Sequence, residues 1–252
     1  MITIFGATDT GLTRKINQDR FIFEILGDDF AYVVLCDGMG GPAGGHVASE
    51  TATHFVREVF SRDLKESLSE QSLRSVMLSA AAGANSLIYD AARREPNLLG
   101  MGTTLIVAVF RGDYLYIVYA GDSRVYHIRE EKEEQITRDH TVVQMLVDSG
   151  EITEEDAKEH PKRHYITKAV GVGPMVDTDF LVQEFAPGDK VLLCSDGLYN
   201  YLTEGSLPDL LEDESSKACI DRLIELAKEG GGSDNITAVL VTREETFPDD
   251  AA

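Results

Sequence analysis

The sequence predicts an α+β fold in which helices pack outside antiparallel β-sheets. Three observations carry this. Short apolar runs meet at tight Gly- and Asp-containing turns, the signature of hairpins. Two long helical patterns stand back to back between blocks of strands. No strand–helix–strand alternation of the kind that winds a parallel sheet runs along the chain, and no internal repeat is present.

The elements follow in order. Residues 2–7 read as a first strand, and a polar loop over 8–20 carries Arg14 and Asp19. Strands over 21–26 and 30–36 flank Gly27-Asp28-Asp29 and predict a hairpin. The second of them ends in Asp37, after which Gly38-Met39-Gly40-Gly41 turn the chain. Ala48, Thr51, Ala52, Phe55, Val56, Val59 and Phe60 recur at helical spacing and predict a helix to about residue 65. Leu73, Val76, Met77, Ala80, Ala81, Ala84, Leu87, Ile88 and Ala91 predict a second, from near 69 to a stop before Pro96. Together they suggest an antiparallel pair lying on a sheet.

Gly102-Thr103-Thr104 opens a run of strands. Those over 105–110 and 114–120 form a hairpin, Gly121-Asp122-Ser123-Arg124 interrupts, and a strand over 125–129 resumes. An acidic turn over 130–134 leads to a short strand over 135–137. The looser segment 140–178 holds two short helices, 141–148 and 153–160, and the basic Pro161-Lys162-Arg163-His164; it reads equally as a mobile cover beside a site or a solvated connection. Strands over 180–185 and 190–194 meet at Pro187-Gly188-Asp189 as a further hairpin, followed by Ser195-Asp196-Gly197. Helices over 206–211 and 216–229 come next, the second stopped by Gly230-Gly231-Gly232, and Ser233-Asp234-Asn235 enters a last strand over 236–241. One domain over residues 1–243 with a frayed tail over 244–252 is expected.

Composition narrows the function classes. Lys and Arg total 23 against 44 Asp and Glu, a net charge of −21, which disfavours nucleic-acid backbones and anionic membranes as partners. No signal peptide or membrane-length apolar run is present, so a cytoplasmic protein, or the cytoplasmic part of a larger one, is expected, as a monomer. Cys36, Cys194 and Cys219 have no zinc spacing; the first two sit in apolar strand patterns and read as buried thiols in a reducing compartment. The glycine runs match neither a dinucleotide fingerprint nor a P-loop, and no GxSxG elbow or reactive-cysteine motif is present.

The chemistry lies in the carboxylates. Asp37, Asp122 and Asp196 follow strands, Asp234 precedes one, and Asp19 stands just before the second strand. Any one Asp-Gly pair is enough to turn a chain and needs no other role. Five carboxylates at one sheet edge, however, repel unless cations neutralise them, and hard oxygen donors suit Mg²⁺ or Mn²⁺. Two such ions about 3.5–4 Å apart on a shared carboxylate lower the pKa of a water aimed at phosphorus. An arginine, here Arg14, would grip the remaining phosphate oxygens.

Seven short motifs occur in a telling order: Arg14-Lys15-Ile16-Asn17-Gln18-Asp19, Cys36-Asp37-Gly38-Met39-Gly40-Gly41, Gly102-Thr103-Thr104, Gly121-Asp122-Ser123-Arg124, Arg138-Asp139-His140-Thr141, Ser195-Asp196-Gly197 and Ser233-Asp234-Asn235. To about Val241 the chain resembles the metal-dependent protein serine/threonine phosphatases of the type 2C class, in their compact bacterial form. The resemblance implies a central sandwich of two antiparallel sheets flanked by helix pairs. It implies hydrolysis of phosphoserine and phosphothreonine in proteins, with a Ser/Thr protein kinase and its substrates as partners. It also implies that Asp37 bridges two catalytic Mn²⁺ or Mg²⁺ ions with the Gly38 carbonyl as a further ligand, that Asp196 and Asp234 complete the first ion, and that Asp19 serves the second. Asp122 would share a third, weaker ion with Asp196, Arg14 would bind the substrate phosphate, and 140–178 would be the flap that influences substrate choice.

Two departures matter. Eukaryotic relatives place a histidine, their proposed general acid, where this chain has Met39, and many bacterial relatives have one where Pro42 stands. His46 or a water is left to protonate the leaving group, and His140 reads as structural. A phosphatase dedicated to one partner-switching regulator, or a phosphoprotein-binding module without catalysis, are the competing readings; the second would have lost metal carboxylates, and all five are present.

Overall fold

The computed structural model describes residues 1–212 and 215–244. In chain order the elements are β1 (Ile2–Asp9), β2 (Asp19–Gly27), β3 (Phe30–Met39), α1 (Gly41–Asp63), α2 (Glu70–Arg94), β4 (Gly102–Thr103), β5 (Leu105–Arg111), β6 (Tyr114–Ala120), β7 (Arg124–Arg129), β8 (Lys132–Gln135), α3 (Val142–Asp148), α4 (Glu154–Glu159), β9 (Asp179–Glu184), β10 (Lys190–Cys194), α5 (Asp196–Tyr199), α6 (Leu207–Leu210), α7 (Ser216–Glu229) and β11 (Ile236–Arg243). The tail expected over 244–252 lies, after Glu244, outside the described residues.

Two antiparallel sheets face each other. One has the strand order β1-β11-β10-β7-β8, the other β2-β3-β5-β6-β9, with β4 paired to the end of β3. Strand alternation explains why the runs are apolar throughout. On β3, Ala31, Val33 and Leu35 point into the sandwich core, where they meet Val191, Leu193, Val239 and Val241 of the opposite sheet. Tyr32, Val34 and Cys36 point the other way, against Ala48, Ala52 and Val56 of α1 and Met77 and Ala84 of α2. Leu192, Ala238 and Leu240 likewise meet Ile220, Leu223 and Ala227 of α7. Each large apolar side chain buried this way contributes about 1.5–3 kcal/mol. The predicted α+β class therefore holds, as a helix–sheet–sheet–helix stack. The helix pair α1–α2 covers one sheet, whereas the other carries one long helix, α7, with the short α5 and α6 beside it. Cys36, Cys194 and Cys219 are buried, the first two as expected, and none of the three forms a disulfide.

Several local expectations are corrected. β9 and β10 do not form a hairpin: they belong to different sheets, and the Pro187-Gly188-Asp189 turn carries the chain across the sandwich. Asp189 fixes that crossing by accepting from the Ala186 amide at 2.6 Å, from His127 Nε2 at 2.9 Å and from Arg129 at 2.8 Å. The strand placed at 135–137 is β8, Lys132–Gln135, because Glu130 (φ 56°) makes the turn two residues earlier. α1 begins at Gly41, within the glycine run and ahead of the apolar stripe that starts at Ala48. β3 runs through Asp37 to Met39 instead of ending before them, since Gly38 and Met39 pair with Thr103 and Gly102. Leu87, expected on the buried face of α2, is exposed.

Candidate active site

The extension of β3 decides what Asp37 meets. It lies directly opposite Asp19 in the β2–β3 ladder, two carboxylates on the same face of neighbouring strands. Its backbone is held on both sides: the amide donates to Thr104 Oγ1 at 2.8 Å, and the carbonyl accepts from the Thr104 amide and the Thr103 hydroxyl, each at 2.9 Å. Ser123 Oγ in turn lies 2.8 Å from Thr104 Oγ1. The Gly102-Thr103-Thr104 and Gly121-Asp122-Ser123 motifs thus buttress the Asp37 backbone from the next strands. Gly38 follows because nothing larger fits; a β-carbon there would stand 2.2 Å from the Gly45 carbonyl oxygen in the first turns of α1.

Asp19 is wholly buried. Its Oδ2 accepts from Ser195 Oγ at 2.7 Å and Thr237 Oγ1 at 2.6 Å, both from the opposite sheet, while its Oδ1 has no hydrogen-bond partner. Asp196 opens the short helix α5, and Asp234 stands just before β11, where Arg14 Nη2 donates to its Oδ2 at 2.7 Å. Asp122 is buried in the β6–β7 connection. The loop bearing Arg14 is tied down by Asn235, whose Oδ1 accepts from the Gln18 amide at 2.8 Å and whose Nδ2 donates to the Thr10 and Ile16 carbonyls.

These groups lie near enough to feel one another's charge. Burial, then the fields of Asp19, Asp196, Asp122 and Asp234, hold the Asp37 carboxyl well above the usual range. Burial is also the leading cause for Asp19 and Asp122, each pushed up to about 7, and for Asp196, pushed up to about 6 despite Arg14 pulling it down. Arg14, with 53% of its side chain exposed, is held more firmly protonated by its bond to Asp234 and then by the charges of Asp234, Asp196 and Asp37. Among the described residues no three carboxylate, imidazole or thiol groups converge as a ready-made coordination sphere. Asp37 and Asp196 interact with each other, and Asp234 with Arg14. The donor set still fits divalent cations. It is all hard oxygen, its charges raise one another's proton affinity, and Asp19 keeps a buried oxygen without a partner.

The structure therefore brings Arg14, Asp19, Asp37, Gly38, Asp122, Asp196 and Asp234 to one end of the sandwich. Both ring nitrogens of His46 have partners: Nδ1 receives Arg20 Nη2, and Nε2 lies 3.4 Å from Glu50 Oε2. His140 accepts from the Gly121 amide at 3.1 Å and stacks on Tyr119, which makes it a prop for the Asp122 turn. Asp139 holds Arg124 through contacts of 2.7–3.1 Å, a role of the same kind. The bonding of Ser195 and Thr237 to Asp19 is not legible in the sequence, because a lone hydroxyl at the end of an apolar strand or within it gives no periodic signal.

Comparison with known proteins bears on this geometry. The family described as protein phosphatase 2C matches residues 13–240. The chain is 37% identical over 240 residues to the serine/threonine phosphatase stp of Listeria welshimeri, covering 94% of each protein. It is 38% identical over 233 residues to the serine/threonine protein phosphatase PstP of Mycobacterium tuberculosis, covering 92% of this chain and 43% of that one. The solved serine/threonine phosphatase of S. agalactiae superposes with a TM-score of 0.89 at 32% identity, over 97% of this chain and 100% of that one. The catalytic domain of the serine/threonine protein phosphatase PstP in complex with two manganese ions superposes with a TM-score of 0.82 at 36% identity, over 97% and 99%.

Proposed function

The chain belongs to the protein phosphatase 2C family and is a protein serine/threonine phosphatase; we propose that it hydrolyses phosphoserine and phosphothreonine in proteins with two divalent cations, Mn²⁺ or Mg²⁺, at the Asp37 cluster. The observation that carries this is that Asp37, directly opposite Asp19 in the ladder, also feels the charges of Asp196, Asp122 and Asp234, with the Arg14 guanidinium held on Asp234. When bound, the cations would supply a water of lowered pKa and offset the charge that builds on the phosphate oxygens.

The chain's own residues would do the rest. Asp37, rigid in its ladder, would hold both ions, with the Gly38 carbonyl beside it. Asp196 and Asp234 would complete the first, and Asp122 with Asp196 could hold a third, weaker one. Asp19 has Oδ2 saturated and Oδ1 free, which suits it to orient a water at the second ion. Arg14 would turn from Asp234 to the substrate phosphate. With both nitrogens of His46 engaged, a water is the proton source for the departing seryl or threonyl oxygen. The substrates would be proteins phosphorylated by a Ser/Thr kinase, which places the enzyme in signal transduction. Residues 1–243 would act as one catalytic domain, monomeric and cytoplasmic, with 140–178 as its flap. No described helix is long and apolar enough to cross a membrane.

The test is phosphate release from a phosphothreonine peptide as Mn²⁺ is titrated in. Turnover should rise with the metal and vanish on adding EDTA; equal rates in both would overturn the reading. Arg14→Lys tests the phosphate grip separately. Lysine keeps the charge but loses the planar fork, so KM for the peptide should rise about 10–100-fold, the worth of one charged hydrogen bond, with kcat less affected. An unchanged KM would remove Arg14 from the site.

A further inference from the structure

The return of the flap into the body of the protein is locked at three successive points. Thr103 and Val170 exchange both backbone hydrogen bonds, each at 2.9 Å, and the same Thr103 donates its hydroxyl to the Asp37 carbonyl. One residue on, the Gly171 amide donates to Asn85 Oδ1 at 2.7 Å. Asn85 Nδ2 then donates to the Gly173 carbonyl at 3.1 Å. Asn85 is 1% exposed and sits on the apolar face of α2, between Ala84 and Ile88 in the core. A buried amide there costs stability unless both its ends are satisfied, and here both are spent on the flap return. Gly171 has φ 93°, and a β-carbon on it would stand 2.1 Å from Ile88 Cγ2, so the return can lie this close to α2 only at glycine.

Between the two residues that Asn85 holds stands Val172, whose side chain has no such anchor and is 49% exposed. It lies over Gly102, where a β-carbon would come within 2.9 Å of Val172 Cγ1 and 3.7 Å of Met39 Cγ. Met39 is two residues from Asp37. Val172 and Met39 thus flank the same glycine at the margin of the carboxylate cluster, one from the flap and one from β3. The side chain that would otherwise be tethered nowhere is set in place by the amide of Asn85 on either side of it.

We propose that Asn85 is a positioning residue for substrate selection: it fixes the 170–173 return so that Val172, with Met39, forms an apolar wall for a nonpolar residue flanking the phosphorylated one. The inference rests on the phosphatase reading above and names the class of protein substrate that site would prefer. Asn85 touches no substrate itself and acts through the backbone of Gly171 and Gly173.

The test compares wild type, Asn85→Ala and Val172→Asp, all full-length with Mn²⁺, on two substrates. One is p-nitrophenyl phosphate, which has no flanking residues, and the other a phosphothreonine peptide with leucine on both sides. The readout is the ratio of kcat/KM for the peptide to kcat/KM for the aryl phosphate. It should fall at least about fivefold in both variants, through KM for the peptide. A residue that merely supports the fold would lower both activities in proportion, and an unchanged ratio in Asn85→Ala overturns the proposal. Should that variant fold poorly, Val172→Asp decides alone, since its side chain is half exposed; an unchanged peptide KM there overturns it. Absence of metal-dependent turnover of the aryl phosphate by wild type would instead bring down the phosphatase reading, and this inference with it.

Discussion

Asp37→Asn is expected to lower metal-dependent phosphate release by at least about 10³-fold, beyond what loss of a single oxyanion-stabilising donor costs, because in the proposed mechanism one substitution would take a ligand from both cations. The same variant should be harder to unfold when metal-free. Asparagine can keep the backbone bonds to Thr104 and Thr103, so the change removes little beyond a negative charge. That charge faces Asp19 across the ladder and feels Asp196, Asp122 and Asp234. At pH 8 in EDTA, thermal unfolding should move up by roughly 2–4 °C for each kcal/mol of repulsion relieved. Activity lost while stability is gained is the mark of a site built for a ligand. Turnover within tenfold of wild type would remove Asp37 from the centre of the mechanism, and a lowered melting temperature would mean that the carboxylate supports the fold.

Stability without metal should fall as pH rises. Asp19 and Asp122, pushed up to about 7, and Asp196, pushed up to about 6, bind protons in the folded state that they release when unfolded, where their ordinary value is 3.8. Their contribution is therefore fully present below about pH 4 and is lost as pH climbs towards 7. The metal-free protein should melt several degrees lower at pH 8 than at pH 5. The net charge of −21 pushes in the same direction through exposed groups, but salt screens those beyond a Debye length of about 10 Å at 0.1 M and leaves the buried set much less affected. A trend that survives moderate salt belongs to the cluster. With Mn²⁺ the sign reverses, since ligands must be deprotonated and the stabilisation by metal grows with pH. An EDTA melting temperature that rises from pH 5 to pH 8 would refute the account.

Much of this was legible in the residues. The helix starting after Ser69 and the one over 216–229 appear where periodicity and capping put them, because each buries a continuous stripe. The placement of Asp37, Asp122, Asp196 and Asp234 beside strands was legible because a charge next to an apolar run stands out. What failed was whatever depends on contacts between sheets. Pro187-Gly188-Asp189 has the chemistry of a hairpin turn, and nothing in it says that the next strand joins the other sheet. Lys132–Gln135 carries no apolar alternation, so its place as an edge strand is set by β7 rather than by its own side chains. Asp37 looked like a strand exit because pairing to the two-residue β4 leaves almost no trace in composition. The contact between His46 and Arg20 is hidden for a similar reason, since the two lie on different elements.

The zipping of β1 to β11 also sets a timetable. Thr8 and Thr237, 229 residues apart, share a hydrogen bond of 2.7 Å, and Thr3 and Thr242, 239 apart, one of 2.6 Å. At ribosomal speeds of about 5–20 residues per second, the first strand waits roughly 10–50 s for its neighbour to be synthesised. Asp234, delivered just ahead of that neighbour, arrives long after Asp19 and Asp37. The carboxylate cluster therefore cannot close before residue 234 has been made, and until β11 follows, chaperones have an open strand edge to shield.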